Sequence, residues 1–194
     1  MSHYFTGDEP ARADERTVGC RALGRDYYFT TNAGLFSYAA VDDASLALVT
    51  RVPALEGTLL DLGCGYGAIG ITLAKTYGVK LTMSDVNPRA LRYAALNAER
   101  NGVDADVVMS DCFETIKGSF DTIVVNPPIH AGKKVTYRMF RESYEHLTRG
   151  GSFYAVIKKK HGALSAAAEF ADIYDEMIVL HKKKGCFVYR CVKH

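Results

Sequence analysis

Two stretches of this chain carry residue types and spacings that could do chemistry. In the first, an apolar run with one acid (Leu59, Leu60, Asp61, Leu62) enters a glycine cluster, Gly63-Cys64-Gly65-Tyr66-Gly67. Ile69, Leu73 and Ala74 then follow at helical spacing. The pattern reads as a buried strand, a tight turn and a helix start. Glycines at such a turn permit positive φ and let a ligand come close to the backbone. The string Gly65-Tyr66-Gly67-Ala68-Ile69-Gly70 also fits the dinucleotide fingerprint, which by itself is a weak signal. Asp61 weighs against that option. A pyrophosphate seeks N–H donors at a helix N-terminus, and an inward acid would repel it. An acid there suits a ligand with a positive charge and an amino group, such as S-adenosylmethionine.

The second stretch is Asn126-Pro127-Pro128-Ile129, which follows the apolar run Phe120–Val125. Prolines donate no hydrogen bond and stiffen the chain. The loop therefore offers two fixed acceptors, the Asn126 side-chain oxygen and the Pro127 carbonyl. Two such acceptors hold an exocyclic NH2 by both hydrogens. An aryl amine is a poor nucleophile because its lone pair is delocalised into the ring. Binding both protons favours a pyramidal nitrogen and aims the lone pair at an electrophilic methyl group. With a sulfonium as leaving group, positioning and electrostatics do most of the work, and no strong general base is required.

The elements around these stretches must bring them together. Strands are expected at 58–62, 79–84, 105–109, 120–125 and 152–158, with helices at 67–77, 88–101, 136–148 and 163–172. A last pair of strands, about 175–181 and 186–192, reads as a hairpin closed by Lys182-Lys183-Lys184-Gly185. Asp42 and Asp43 ahead of Leu46, Leu48 and Val49 predict a capped helix over about 43–52. Alternating strands and helices imply an α/β domain: a mostly parallel sheet with helices on both faces and a C-terminal antiparallel hairpin. Ligands bind such sheets at the carboxyl ends of the strands. There the sequence supplies the glycine loop, then Asp85-Val86-Asn87-Pro88, then Asp111-Cys112, then Asn126. Asp85 is placed to accept both ribose hydroxyls. Asp111 suits an adenine amino group, with a backbone N–H from Cys112. Asn87 reads first as a helix cap before Pro88.

Taken together, Asp61-Leu-Gly-Cys-Gly-Tyr-Gly67, Asp85-Val-Asn-Pro-Arg-Ala90, Asn126-Pro-Pro-Ile-His-Ala-Gly-Lys133 and Lys158-Lys-Lys-His-Gly-Ala163 resemble the 16S ribosomal RNA guanine-N2 methyltransferase family, within the methyltransferase small-domain group. The similarity spans roughly residues 27–193. It implies a Rossmann-like class I methyltransferase with a seven-stranded sheet. It also implies methyl transfer from S-adenosyl-L-methionine to a guanine exocyclic amine, with Asn126, Pro127, Pro128 and Ile129 as the catalytic loop. Cofactor contacts are expected from Asp61, Gly63, Cys64, Gly65, Gly67, Asp85, Val86, Asn87, Asp111, Cys112 and Asn126. The chain departs from other amino-methyltransferases at Ile129, where an aromatic residue often stacks on the target base. That contact falls to Ile129 itself or to Phe36 or Tyr38.

Three lysine groups, Lys133-Lys134, Lys158-Lys159-Lys160 and Lys182-Lys183-Lys184, emerge on the same sheet edge as Asn126 in the expected topology. The formal net charge of the 194 residues is only +2, so a basic rim there would be a local footprint for phosphate contacts. The expected partner is ribosomal RNA or the small ribosomal subunit, with the protein a monomer or weak homodimer. Five cysteines with no CxxC pair read as reduced thiols in a cytoplasmic protein, with no metal site. No apolar run is long enough to span a membrane. Residues 1–40 read as an N-terminal extension or flap on the domain edge, with a loose polar start over 1–16. Residues 41–194 read as the methyltransferase domain. Two other readings compete: amino-methyl transfer to DNA adenine or protein glutamine, and a non-catalytic S-adenosylmethionine- or RNA-binding module.

Overall fold

The computed structural model describes residues 14–194. A two-stranded antiparallel hairpin, β1 (Glu15–Ala22) and β2 (Arg25–Asn32), precedes the main domain. Helix α1 (Asp43–Val49) follows. Then come β3 (Thr58–Leu62), α2 (Ala68–Tyr77), β4 (Lys80–Asp85), α3 (Pro88–Arg100), β5 (Ala105–Met109) and β6 (Phe120–Val125). The chain closes with α4 (Lys133–Glu145), β7 (Leu147–Lys158), α5 (Ala163–Ile173), β8 (Glu176–Lys183) and β9 (Cys186–Val192). The seven-stranded sheet has the order β5-β4-β3-β6-β7-β9-β8. It is parallel from β5 to β7, and β9 and β8 run antiparallel at one edge. This is the architecture expected from the alternation of strands and helices.

The central strands are buried on both faces because each face carries its own core, while the edge strands β5 and β8 are only partly covered. Along β7, Tyr154 and Val156 point to one side, and Phe153, Ala155 and Ile157 to the other. The first side packs on α1, α2, α3 and the N-terminal hairpin through residues such as Leu48, Ile71 and Ala94. The second packs on α4 and α5 through Phe140 and Phe170. Successive strand side chains alternate in direction, so a strand covered on both faces must be apolar throughout.

The hairpin is joined to the domain by polar side chains as well as by its core. The fully buried Asn97 of α3 accepts from Thr30 N (2.7 Å) and donates to Thr30 O and Tyr66 O (both 2.9 Å). One amide thus ties β2 to the glycine loop. Of the loose start expected over 1–16, residues 1–13 lie outside the described residues. Glu15 and Arg16 are already in strand, paired with Asn32 and Thr31.

One helix is displaced from its expected span of 136–148. Helix α4 begins at Lys133, after Gly132 at φ 89°. Two lysines in a first turn oppose the helix dipole, which is why the pattern reads as starting later. At the other end Leu147 has helical spacing from Tyr144 and Phe140. It instead opens β7 opposite Phe120, and the register then shifts before Thr122 pairs with Ser152. No helix among the described residues is long and apolar enough to cross a membrane.

Candidate active site

Strands β3 and β6 are neighbours, but from β3 the chain crosses to β4 on the other side. Their carboxyl ends therefore flank the switch point, where a ligand crevice opens. A cavity of about 420 Å³ lies there, lined by residues from the glycine loop, the ends of β4, β5 and β6, and the start of α1.

The glycine loop is held by its own backbone. Gly63 N and Cys64 N both donate to Ser84 O at 2.8 Å, and Gly67 N donates to Cys64 O at 2.9 Å. Gly67 sits at φ 90° as the N-cap of α2, and a Cβ there would lie 2.7 Å from Ile71 Cδ1. Gly65, at φ 57°, has nothing within 4 Å of the corresponding position, so its face is open to a ligand. Asp85, at the end of β4, fastens the loop: Oδ2 accepts from Gly65 N and Oδ1 from Asn87 N, both at 2.9 Å. A carboxylate oxygen has a second acceptor site, so both oxygens retain capacity toward the cavity.

Asp61 lies behind the loop rather than on the cavity wall, only 1% exposed, with Oδ2 accepting from Gly70 N at 2.8 Å. Burial raises its pKa to about 7, the Gly70 N–H pulls it down, and the Asp85 charge pushes it further up. Gly67 and Asn87 are likewise outside the lining. Asn87 accepts from Arg89 N at 3.0 Å as the cap of α3.

At the end of β5, Ser110, Asp111 and Cys112 line the cavity, and Cys112 adopts φ 50°. Arg138 of α4 holds this turn by reaching Asp111 Oδ1 (3.4 Å), Asp111 O (3.3 Å) and Glu114 (3.2 Å), while Glu142 pairs with it at 2.7 Å. Burial pushes the Cys112 thiol up to about 12 and that of Cys64 well above the usual range. Neither sulfur is a thiolate at neutral pH.

Asn126, Pro127, Pro128 and Ile129 all line the cavity. The Asn126 Nδ2 donates to Ser45 Oγ at 3.0 Å and to Asp42 Oδ2 at 3.3 Å. Among the described residues no donor reaches Asn126 Oδ1, so the carbonyl is the acceptor left for a ligand. Phe36, 67% exposed, joins the lining, whereas Tyr38 does not and instead stacks under Arg16.

Of the lysines, Lys158 enters the cavity wall, where its Nζ pairs with Asp42 Oδ1 at 3.0 Å. Lys159 and Lys160 follow it in a short turn, and Lys133 and Lys134 open α4. Lys183 pairs with Cys186, which also pairs with Lys158, so Lys182–Lys184 sit at the same sheet edge. His161, also on the lining, reports on this edge: burial, then Lys160, Lys158 and His130, lower its pKa. Asp42, Ser45 and Arg138 have site contacts that the motifs did not signal, because each acts across a long sequence separation. Among the described residues no cluster of His, Cys, Asp and Glu is suited to a metal ion.

The sheet order, the glycine loop fastened by Asp85 and the Asn-Pro-Pro turn beside it define a class I S-adenosylmethionine-dependent methyltransferase. Residues 26–190 match the methyltransferase small domain family, and the chain belongs to that family, in its RsmC-like group. It is 38% identical to the uncharacterized protein YbxB of Bacillus subtilis over 98% of both chains. It is also 38% identical to ribosomal RNA small subunit methyltransferase C of Aeromonas hydrophila, over 69% of this chain but 40% of that one. Among solved structures, the T. thermophilus 16S rRNA N2 G1207 methyltransferase RsmC, in complex with AdoMet and guanosine, superposes with a TM-score of 0.83 at 27% identity, covering 96% of this chain and 52% of the other. The chain thus spans about half the length of these ribosomal RNA methyltransferases.

Proposed function

We propose that the protein methylates the exocyclic N2 amine of a guanine in small-subunit ribosomal RNA. The observation that carries this reading is the Asn126 carbonyl, which no donor reaches among the described residues, at the wall of a cavity that Pro127 also lines. With the Pro127 carbonyl it offers two acceptors, which recognise an NH2 group rather than a hydroxyl or a ring carbon. The likeness to the guanosine-bound T. thermophilus enzyme supports guanine as the base.

The residues present fit S-adenosylmethionine. In this reading Asp85 takes the ribose hydroxyls, and Asp111 with the Cys112 N–H takes the adenine edge. The exposed Val86 supplies an apolar shelf. Gly63, Cys64 and Gly65 lie along the methionine portion, and Asp61 balances its positive charge from behind. When bound, the cofactor supplies a methyl group activated by sulfonium. The protein's own part is to hold the amine: Asn126 Oδ1 and Pro127 O accept its two protons and turn its lone pair inward. Ile129 and Phe36 bracket the base with apolar surface in place of the aromatic residue often found after the two prolines. The methylated amine is cationic and strongly acidic and gives its extra proton to solvent, so no residue need act as a strong base.

RNA is held by Lys133, Lys134, Lys159, Lys160 and Lys182–Lys184 around the cavity mouth. Their shared edge supports a positive potential there, which attracts phosphates and makes binding salt-dependent. Lys158 belongs to the cavity wall through its ion pair.

The test is Asn126→Ala. Cofactor affinity should stay unchanged while methyl transfer to small-subunit RNA is abolished. Retained turnover would remove Asn126 from the amine site and the reading with it.

A further inference from the structure

The carbonyl of Asn126 can serve as an acceptor only if its amide is held one way round. A free amide turns over readily, and the reversed orientation would present Nδ2 to the substrate amine, donor against donor. Two residues of the α1 start prevent this. Asp42 is the N-cap of that helix, its Oδ2 accepting from Ala44 N (3.0 Å) and Ser45 N (3.3 Å). The same oxygen accepts from Asn126 Nδ2, and Ser45 Oγ takes the other amide proton. The second carboxylate oxygen is occupied by Lys158 Nζ at 3.0 Å. A reversed amide would set its carbonyl against a carboxylate with no proton to give. The Asp42 side chain is 13% exposed, so solvent does little to weaken that repulsion.

We propose that Asp42, together with Ser45, is a positioning residue for methyl transfer. It locks the Asn126 amide with the nitrogen inward and the oxygen toward the reacting amine, and Lys158 holds the Asp42 carboxylate in place for that task. The inference rests on the amine-gripping role proposed for Asn126. It goes further in assigning the orientation of that group to a helix cap 84 residues earlier in the chain.

A merely structural cap and a positioning residue respond differently to substitution. Asp42→Ser keeps a good helix cap but has no oxygen long enough to reach Asn126 or Lys158. Combined with Ser45→Ala, it frees the amide. With the full chain and saturating small-subunit RNA, the double variant should lower kcat by about 100-fold, the cost of a misplaced reacting group, with cofactor Kd unchanged and Tm lowered by only a few degrees, since the helix keeps its cap. An unchanged kcat would overturn the proposal. The single variants give a second arm. Asp42→Ser leaves Ser45 Oγ to hold one amide proton, and Ser45→Ala leaves Asp42 Oδ2 to hold the other, so each should lower kcat less than the double variant does. Single variants as slow as the double one would also overturn it.

A third arm needs no methyl acceptor. In 15N spectra of the free protein, the Asn126 side-chain amide protons should exchange slowly in the wild type and fast in the Asp42→Ser, Ser45→Ala variant. Equal exchange in both would refute the lock whatever the activity. Slow wild-type exchange in a protein that methylates no RNA would refute the guanine reading and leave the lock standing.

Discussion

The Asp85 carboxylate accepts the backbone N–H of Gly65 at 2.9 Å. This bond joins the end of β4 to the glycine loop at the end of β3. Asp85 therefore shapes the loop as well as facing the cavity. Replacing it with alanine should weaken S-adenosylmethionine binding, because the ribose hydroxyls go unmatched and the loop loosens. Charge-assisted hydrogen bonds are worth about 1.5–3 kcal/mol each, so Kd should rise on the order of 100-fold. Calorimetric titration of the variant checks this, and an unchanged Kd would take Asp85 out of the ribose site.

Asp61 makes the folded protein sensitive to pH. Burial, countered by the Gly70 N–H, leaves its pKa at about 7 in the fold, against 3.8 in a free chain. The folded state thus holds a proton that the unfolded state has released. Stability from this group is fully present below the lower value and is lost as pH rises through the upper one. Asp61→Asn should flatten that decline and raise Tm in mildly alkaline buffer, where the native carboxylate is charged and buried. A positively charged cofactor favours the ionised form, so its binding near neutrality should release protons. Titrations in two buffers of different ionisation enthalpy would detect this. Equal apparent enthalpies at neutral pH would contradict it.

Lys159 and Lys160 should behave differently from Lys158. Neutralising the first two removes their hold on phosphates. The slope of log K against log salt should then flatten by about 0.7 to 0.9 for each phosphate no longer neutralised. Lys158→Ala removes the ion pair with Asp42 and should act chiefly on kcat. Filter binding over a salt series, alongside single-turnover rates, separates the two effects. Identical phenotypes would contradict the division of the lysine run.

Asn97→Ala should destabilise the domain, because it strands buried groups on Thr30 and Tyr66 that now share one amide. Each buried polar group left without a partner costs about 1–3 kcal/mol. Urea unfolding should show a destabilisation of about 3 kcal/mol on that scale. Cofactor binding should weaken too, since Tyr66 lies in the glycine loop. An effect confined to the hairpin, with the cofactor Kd unchanged, would contradict the link.

Much of this architecture was legible because it depends on local chemistry. Apolar runs closed by Gly63, Asp85, Asp111 and Asn126 marked the strand ends. A parallel sheet collects those ends at one edge, so the motifs predicted their own meeting point. Helix α4 departs from its sequence pattern at both ends because tertiary context overrides local preference: Lys133 and Lys134 start a helix their charge disfavours, and Leu147 leaves it to pair with Phe120. Asp42 was legible as a cap, but its hydrogen bond with Asn126 was not, since no local pattern marks a pair so distant in sequence. The same holds for Arg138, whose bonds to Asp111 and Glu114 arise only when α4 packs beside the β5 end. Asp61 was expected near the cofactor, and its place behind the loop follows from the packing of Gly70 against its Cβ.

The identity of the methylated atom decides the function. Small subunits and stripped ribosomal RNA from cells lacking this protein, incubated with it and tritiated S-adenosylmethionine, should yield label that co-elutes with N2-methylguanosine after digestion to nucleosides. Label in another nucleoside, or none in RNA despite cofactor binding, would contradict the account.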